Sequence, residues 1–182
     1  TFTWQLPSGT RSEAIDQEVA ELLFESGCRN LSYSPESGSP TVLKRIKKRI
    51  TTDAVLASIK SSYRAGLNVK CNIMLGFPGE TYKEVRESLG FAMRMALAGA
   101  YDLSIWAFSP YPGSELFDQI YQQGNIKLDN AYYDSLRSYA DASMTKSYSE
   151  NFSDRNLKIM RIFGLCLFYG TSWLYRPGRP FK

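Results

Sequence analysis

A strand-like run, a turn, a helix-like run and a glycine recur along this chain, with Gly27, Gly66 and Gly99 as the punctuation. Within each unit the apolar spacing changes from strand-like to helical, with Ile15, Val19, Leu22 and Leu23 an example of the second. Glycine just past the last helical residue is the usual left-handed stop. Strands are predicted over 1–6, 30–34, 69–75 and 102–108, and helices over 15–26, 40–48, 54–65, 81–98 and 114–122. Pro7-Ser-Gly-Thr reads as a turn, and Ser39 before Pro40 as a helix start. Such succession builds a parallel sheet with right-handed crossovers, so the fold class expected is α/β. Four strands make about half of a closed barrel and leave an edge to be paired. A longer polypeptide supplying the other strands is therefore expected.

Beyond 126 the character changes. Residues 128–151 are rich in Tyr, Ser and Asp, with no clean period until 132–139. Residues 155–175 form a candidate helix, and 162–175 carries no charge. That stretch is short for a membrane span. It either packs on the barrel or lies at a membrane surface beside Arg176, Arg179 and Lys182. The expected organisation is a barrel portion over 1–125 and a helical extension over 126–182.

Composition closes several routes. The chain of 182 residues has no histidine, which removes the commonest general base and the Ser-His and Cys-His nucleophiles. Cys28, Cys71 and Cys166 are dispersed, which fits free thiols in a reducing, cytoplasmic setting and gives no metal site by spacing. A net charge of +4 with scattered basic residues does not favour nucleic acid as a partner. The run Lys44-Arg-Ile-Lys-Lys-Arg reads as a solvated helix face.

The chemistry-bearing residues fall in three loops, each after a predicted strand. They are Pro35-Glu-Ser-Gly, Gly76-Phe-Pro-Gly-Glu and Ser109-Pro-Tyr-Pro-Gly. In a parallel barrel all three lie on the ligand-binding rim. Glu36 and Ser37 could bond sugar hydroxyls. Gly76 and Gly79 would let a flat ring approach the backbone, and Tyr111 offers an aromatic plate. Each also has a structural reading: Glu36 as a cap for the helix at Pro40, 76–79 as a tight turn, Glu80 as a favourable charge at a helix start. Phosphate, a nucleoside and a carboxylate all remain possible guests.

Read together, these motifs resemble the C-terminal half of a radical S-adenosylmethionine enzyme, in the cobalamin-domain-containing branch that includes the anaerobic magnesium-protoporphyrin monomethyl ester cyclase. The carriers are Gly27-Cys-Arg, Glu36-Ser-Gly-Ser, Val42-Leu-Lys with Lys48 and Thr51, Gly76-Phe-Pro-Gly-Glu-Thr, Pro110-Tyr-Pro-Gly-Ser-Glu-Leu, Ser149-Glu-Asn, and Phe168-Tyr with Arg176-Pro. The resemblance implies the last four units of a partial (βα)6 TIM-like barrel. It further implies that Glu36 and Ser37 meet the ribose or methionine part of S-adenosylmethionine, and Lys48 its carboxylate. Asn72, Met74 and Gly76 would line the adenine, as would Phe108 and Pro110. Parent enzymes of this kind cleave the cofactor reductively to a 5′-deoxyadenosyl radical for methylation, cyclisation or related chemistry. They need an electron donor and a small-molecule substrate; Tyr111, Tyr169 and Trp173 are candidates for the substrate side, and no catalytic residue is assigned.

Ser34-Pro35 departs from the Gly-Ile or Gly-Val that precedes Glu-Ser in the family, and Glu80 stands one position later than the family's acidic residue. The CxxxCxxC ligands of the 4Fe-4S cluster and the cobalamin domain are expected upstream, and the chain alone is expected to be inactive. The rival readings are an ordinary α/β-barrel enzyme for a nucleotide or phospho-ligand, which lacks a Walker lysine here, and a membrane-associated module anchored through 162–175.

Overall fold

The structure, a computed structural model, describes residues 2–139, 141 and 145–179. Strands β1 (Trp4–Thr10), β2 (Cys28–Glu36), β3 (Asn68–Leu75) and β4 (Asp102–Ala107) form one parallel sheet in chain order. Helix α1 (Gln17–Glu25) crosses from β1 to β2, α2 (Pro40–Arg45) and α3 (Thr52–Arg64) from β2 to β3, and α4 (Tyr82–Ala98) from β3 to β4. Then follow α5 (Glu115–Gln122), α6 (Asn130–Ser135) and the long α7 (Asp154–Tyr175). The chain is thus an α/β partial barrel of four parallel strands with a long C-terminal helix.

Local chemistry sets the boundaries. Asp16, Thr51, Thr81, Ser114, Asp129 and Ser153 each accept a hydrogen bond from the backbone N–H three residues on, which satisfies one of the free donors at a helix start. Because Asp16 is a cap, α1 begins at Gln17 rather than at Ile15. Gly27, Gly66 and Gly99 take positive φ, as their place after a helix requires.

Two proline-bearing stretches differ from expectation. Pro7–Thr10 is not a turn but the end of β1, whose pairing with β2 shifts register between Leu6 and Thr10. β2 runs on through Pro35 to Glu36, and its pairing with β3 shifts between Tyr33 and Glu36. A proline has no N–H for the ladder, so it is tolerated where the ladder is already broken. α2 also stops at Arg45, short of the expected Lys48, and Lys47 turns the chain with φ 58.

The strands bury alternate residues. Val69, Cys71, Ile73 and Leu75 of β3 and Leu103, Ile105 and Ala107 of β4 belong to the core shared with the helices. Tyr33 is wholly buried there, its hydroxyl 2.8 Å from Ser58 Oγ and 2.9 Å from Ser62 Oγ on α3. The other face of the sheet is polar. Asn68 donates to Asn30, Asn72 donates to Ser32 Oγ and the Tyr33 carbonyl, and Trp106 Nε1 donates to Asn72 Oδ1.

α7 packs along α4 and β4. Gly164 sits where any Cβ would come within 2.5 Å of Ile105 Cδ1 and 2.7 Å of Leu89 Cδ2. Arg161, almost fully buried, donates from Nε to the Ile105 carbonyl at 2.9 Å and from a terminal nitrogen to Thr145 Oγ1 at 2.6 Å. At the far end Arg176 donates to the carbonyls of Ala96 and Leu97, and Arg179 to those of Gly99 and Ala100. These guanidiniums, which one of the two readings set beside a membrane surface, are held at the C-terminus of α4, where cations are favoured; Lys182 lies outside the described residues. Among the described residues, no helix is long and apolar enough to cross a membrane.

Candidate functional site

The carboxyl ends of β2, β3 and β4 bring most of the expected residues to one rim. Glu36 ends β2 with φ 69, a left-handed conformation that costs a non-glycine residue roughly 1–2 kcal/mol. Its carboxylate lies 3.3 Å from Lys48 Nζ. Burial pushes the Glu36 carboxyl above its ordinary range, against the pull of the Lys48 ammonium. Ser39, not Glu36, is the residue before α2. Ser37 is directed elsewhere: it is fully buried, its Oγ 3.0 Å from Ser88 Oγ of α4 and accepting from the Ser39 N–H. Its hydroxyl therefore fastens the loop to the helix layer and does not face the rim.

β3 contributes Asn72 and Met74 on the polar side of the sheet, and then the Gly76–Glu80 loop. Gly76 has φ 93, and a Cβ there would lie 2.7 Å from Leu157 Cδ2 of α7. The space that glycine leaves is thus taken by a core leucine. Glu80 is also not the helix start expected of it, since Thr81 caps α4 in a capping box with Glu84. Glu80 is fully buried, and its Oε2 accepts from the N–H groups of Gly76 at 2.5 Å and Phe77 at 3.2 Å. Desolvation pushes its carboxyl up to about 7 even though those two donors favour the anion. Glu80 is a staple across its own loop.

β4 leads into Phe108, whose ring packs 5.1 Å from Phe77 and 6.2 Å from Tyr148. Pro110 is held through its carbonyl, which accepts from Tyr132 Oη of α6 at 2.7 Å. Between α2, the ends of β3 and β4, and α5 lies a cavity of about 490 Å³, whose walls include Met74, Pro78, Phe108, Ser109 and Tyr111. That volume suits a small-molecule site. Ser109, which is 8% exposed, belongs to that wall, and its Oγ is buried with no hydrogen-bond partner. A mainly apolar chamber with Arg45, Lys47, Glu115 and Gln119 also in its lining suits a flat, mainly apolar group with a polar edge.

What holds this rim from behind comes from a distant part of the chain. Ser149 Oγ and Asn151 Nδ2 both donate to the Glu80 carbonyl, at 3.0 and 2.9 Å. Glu150 Oε2 accepts from the Gly79 N–H at 3.0 Å. Ser149-Glu-Asn thus clamps a loop some 70 residues away; the resemblance flagged the motif but not this pairing. Two substrate-side candidates lie elsewhere. Tyr169 donates to Asp102 Oδ1 at the start of β4, and Trp173 is exposed on α7.

The cysteines do not fit a cluster. Cys28 and Cys71 are buried in the helix-facing core and Cys166 is exposed on α7. Among the described residues, no group of three His, Cys, Asp or Glu could hold a metal ion.

Fold and rim define a parallel α/β partial barrel with a ligand cavity at the strand ends. Residues 6–92 match the model of the Radical SAM superfamily. The chain is similar to the cytidylyl-2-hydroxyethylphosphonate methyltransferase of Streptomyces wedmorensis, at 31% identity over 137 residues, 71% of this chain and 25% of that enzyme. Among solved structures it resembles the Escherichia coli coproporphyrinogen III oxidase HemN, described as a radical SAM enzyme, with TM-score 0.55 and 15% identity over 88% of this chain and 31% of the other. It also resembles the Kitasatospora setae radical S-adenosylmethionine methyltransferase TsrM, solved with cobalamin and a [4Fe-4S] cluster, with TM-score 0.54 and 20% identity over 62% of this chain and 22% of the other. At these identities the two structures speak to the fold. The chain spans about a quarter of the length of the curated relatives it matches.

Proposed function

We propose that this chain is the C-terminal portion of a radical S-adenosylmethionine methyltransferase, and that its rim holds the adenosyl half of that cofactor. The observation that carries the reading is the cavity between Met74 and Phe108, with the unmatched Ser109 Oγ in its wall. An adenine would lie on the Met74 thioether and the Phe108 ring, with a polar edge toward Ser109. The Glu36 carboxylate would accept from ribose hydroxyls or the methionine ammonium. Lys48, already 3.3 Å from Glu36, would meet the methionine carboxylate. Asn72 would hold the polar floor in register, while Gly76 and Pro110 shape the walls through backbone positions. When bound, S-adenosylmethionine supplies the adenosyl and methyl groups; this chain's residues orient it and keep water out.

The thiols present do not fit a cluster, so no step is assigned to one in this chain. In this reading the cluster, and a cobalamin like that of TsrM, belong to the parent polypeptide. Residues 1–125 are its barrel portion and 126–182 the extension that braces the rim. The small-molecule substrate and an electron donor complete the proposed set of partners. The test is anaerobic reconstitution, with iron and sulfide, of the longer polypeptide. Release of 5′-deoxyadenosine from S-adenosylmethionine supports the reading, and its absence from a protein with an intact cluster refutes it.

A further inference from the structure

One face of α7 is turned away from everything else in the structure. Ile159, Ile162, Phe163, Cys166, Trp173 and Leu174 are all exposed, at helical spacing, and Gly170 lies among them with nothing within 4 Å of a Cβ built on it. The opposite face, with Leu157, Arg161, Gly164 and Phe168, is the one buried on α4 and β4. The apolar stripe therefore runs most of the length of a helix whose packing requirement is already met. On the neighbouring helix, Met93 and Leu97 continue the surface, one and two turns on from the Leu89 that touches Gly164.

We propose that this face is a twofold interface between two copies of the chain, with α7 packed antiparallel on α7. Three observations favour a second copy. The first is area. Exposed fractions run from 37% for Met93 to 84% for Leu174. At about 180 Å² for a fully exposed residue of this size, they sum to roughly 650 Å² of apolar surface per copy. Two such faces would bury about 1,300 Å², inside the range of specific protein interfaces.

The second is self-complementarity. An antiparallel register centred beside Cys166 sets Phe163 of each copy over Gly170 of the other and Ile159 against Leu174. The two Cys166 side chains then face each other across the axis. A twofold contact needs one patch that fits itself, and a large ring opposite an open glycine does so. The third is charge. The stripe from Ile159 to Leu174 carries none of its own, so no like charges meet across the axis. A lipid surface would instead want cations along the stripe, whereas Arg155 and Lys158 flank only its first turn and Arg176 and Arg179 at its other end are tied to main-chain carbonyls of Ala96 and Gly99.

The experiment is sedimentation equilibrium of the full chain over a concentration series, with Phe163→Glu and Gly170→Leu as variants. Both sites are open to solvent, and circular dichroism checks that the variants fold. A reversible monomer–dimer equilibrium, weakened about tenfold or more by either variant, is expected. A short bis-maleimide should also join wild-type copies through Cys166, since Cys28 and Cys71 are buried, and Cys166→Ser should abolish the cross-link without abolishing association. Monomer at every concentration overturns the proposal, as does association that neither variant weakens. Sedimentation with vesicles of phosphatidylcholine and phosphatidylglycerol by a chain that stays monomeric overturns it in favour of a lipid partner.

Discussion

Leu157 occupies the space that a side chain on Gly76 would need: its Cδ2 lies 2.7 Å from the position of a Cβ built there. The contact ties the glycine turn at the strand end to the C-terminal helix, over 80 residues away. Gly76→Ala would meet both that overlap and a φ of 93, and a cost of about 2–4 kcal/mol is expected in denaturant unfolding. Adding Leu157→Ala should recover the overlap but not the backbone strain. The double variant should thus lose less than the two single losses added together.

Glu80 makes stability depend on pH. Burial holds its carboxyl at about 7 in the fold against an ordinary 4.5. The folded chain therefore keeps a proton that the unfolded chain has given up. Its contribution should favour the fold below pH 4.5, fade as pH rises, and be a net cost above about 7. Glu80→Gln keeps an acceptor for the Gly76 and Phe77 N–H groups and cannot ionise. It should flatten that slope by on the order of 1–3 kcal/mol between pH 5 and 8, measured as the pH dependence of the denaturation midpoint. A slope unchanged in the variant would contradict the assignment.

Asn151 and Ser149 share one acceptor, the Glu80 carbonyl. Losing either alone should cost about 0.5–1.5 kcal/mol, because the other remains. Asn151→Ala with Ser149→Ala leaves the carbonyl without either donor and should cost more than the sum. Amide hydrogen exchange at Gly79 and Thr81 should report the loosening locally, ahead of any global change.

Much of this was legible in the sequence because it is local. The alternation of Val69, Cys71, Ile73 and Leu75, the caps at Thr51 and Ser114, and the glycines after the helices all follow from neighbours within a few positions. The three rim loops followed from the parallel order of the strands. What was not legible is long-range direction. Ser37 looks as available as Glu36 until Ser88, 51 positions on, takes its hydroxyl. Gly76 reads as room for a ligand until Leu157 fills it. Glu80 reads as a helix start because a charge before a helix commonly is one, but Thr81 and Glu84 already do that work and leave Glu80 free to turn inward. Tyr169 shares a helix with Leu157 but reaches the other end of β4, and Trp173 lies on the exposed face of that helix.

The central claim, that the rim cavity takes the adenosyl part of S-adenosylmethionine, is tested most directly by calorimetric titration of the chain with S-adenosylhomocysteine, alongside AMP. Wild-type protein should bind S-adenosylhomocysteine more tightly than AMP. Met74→Trp, which fills the cavity, should weaken that binding by about tenfold or more, and Lys48→Ala should weaken it for S-adenosylhomocysteine but not for AMP. Equal affinity for the two ligands, or binding indifferent to Met74→Trp, would contradict the account.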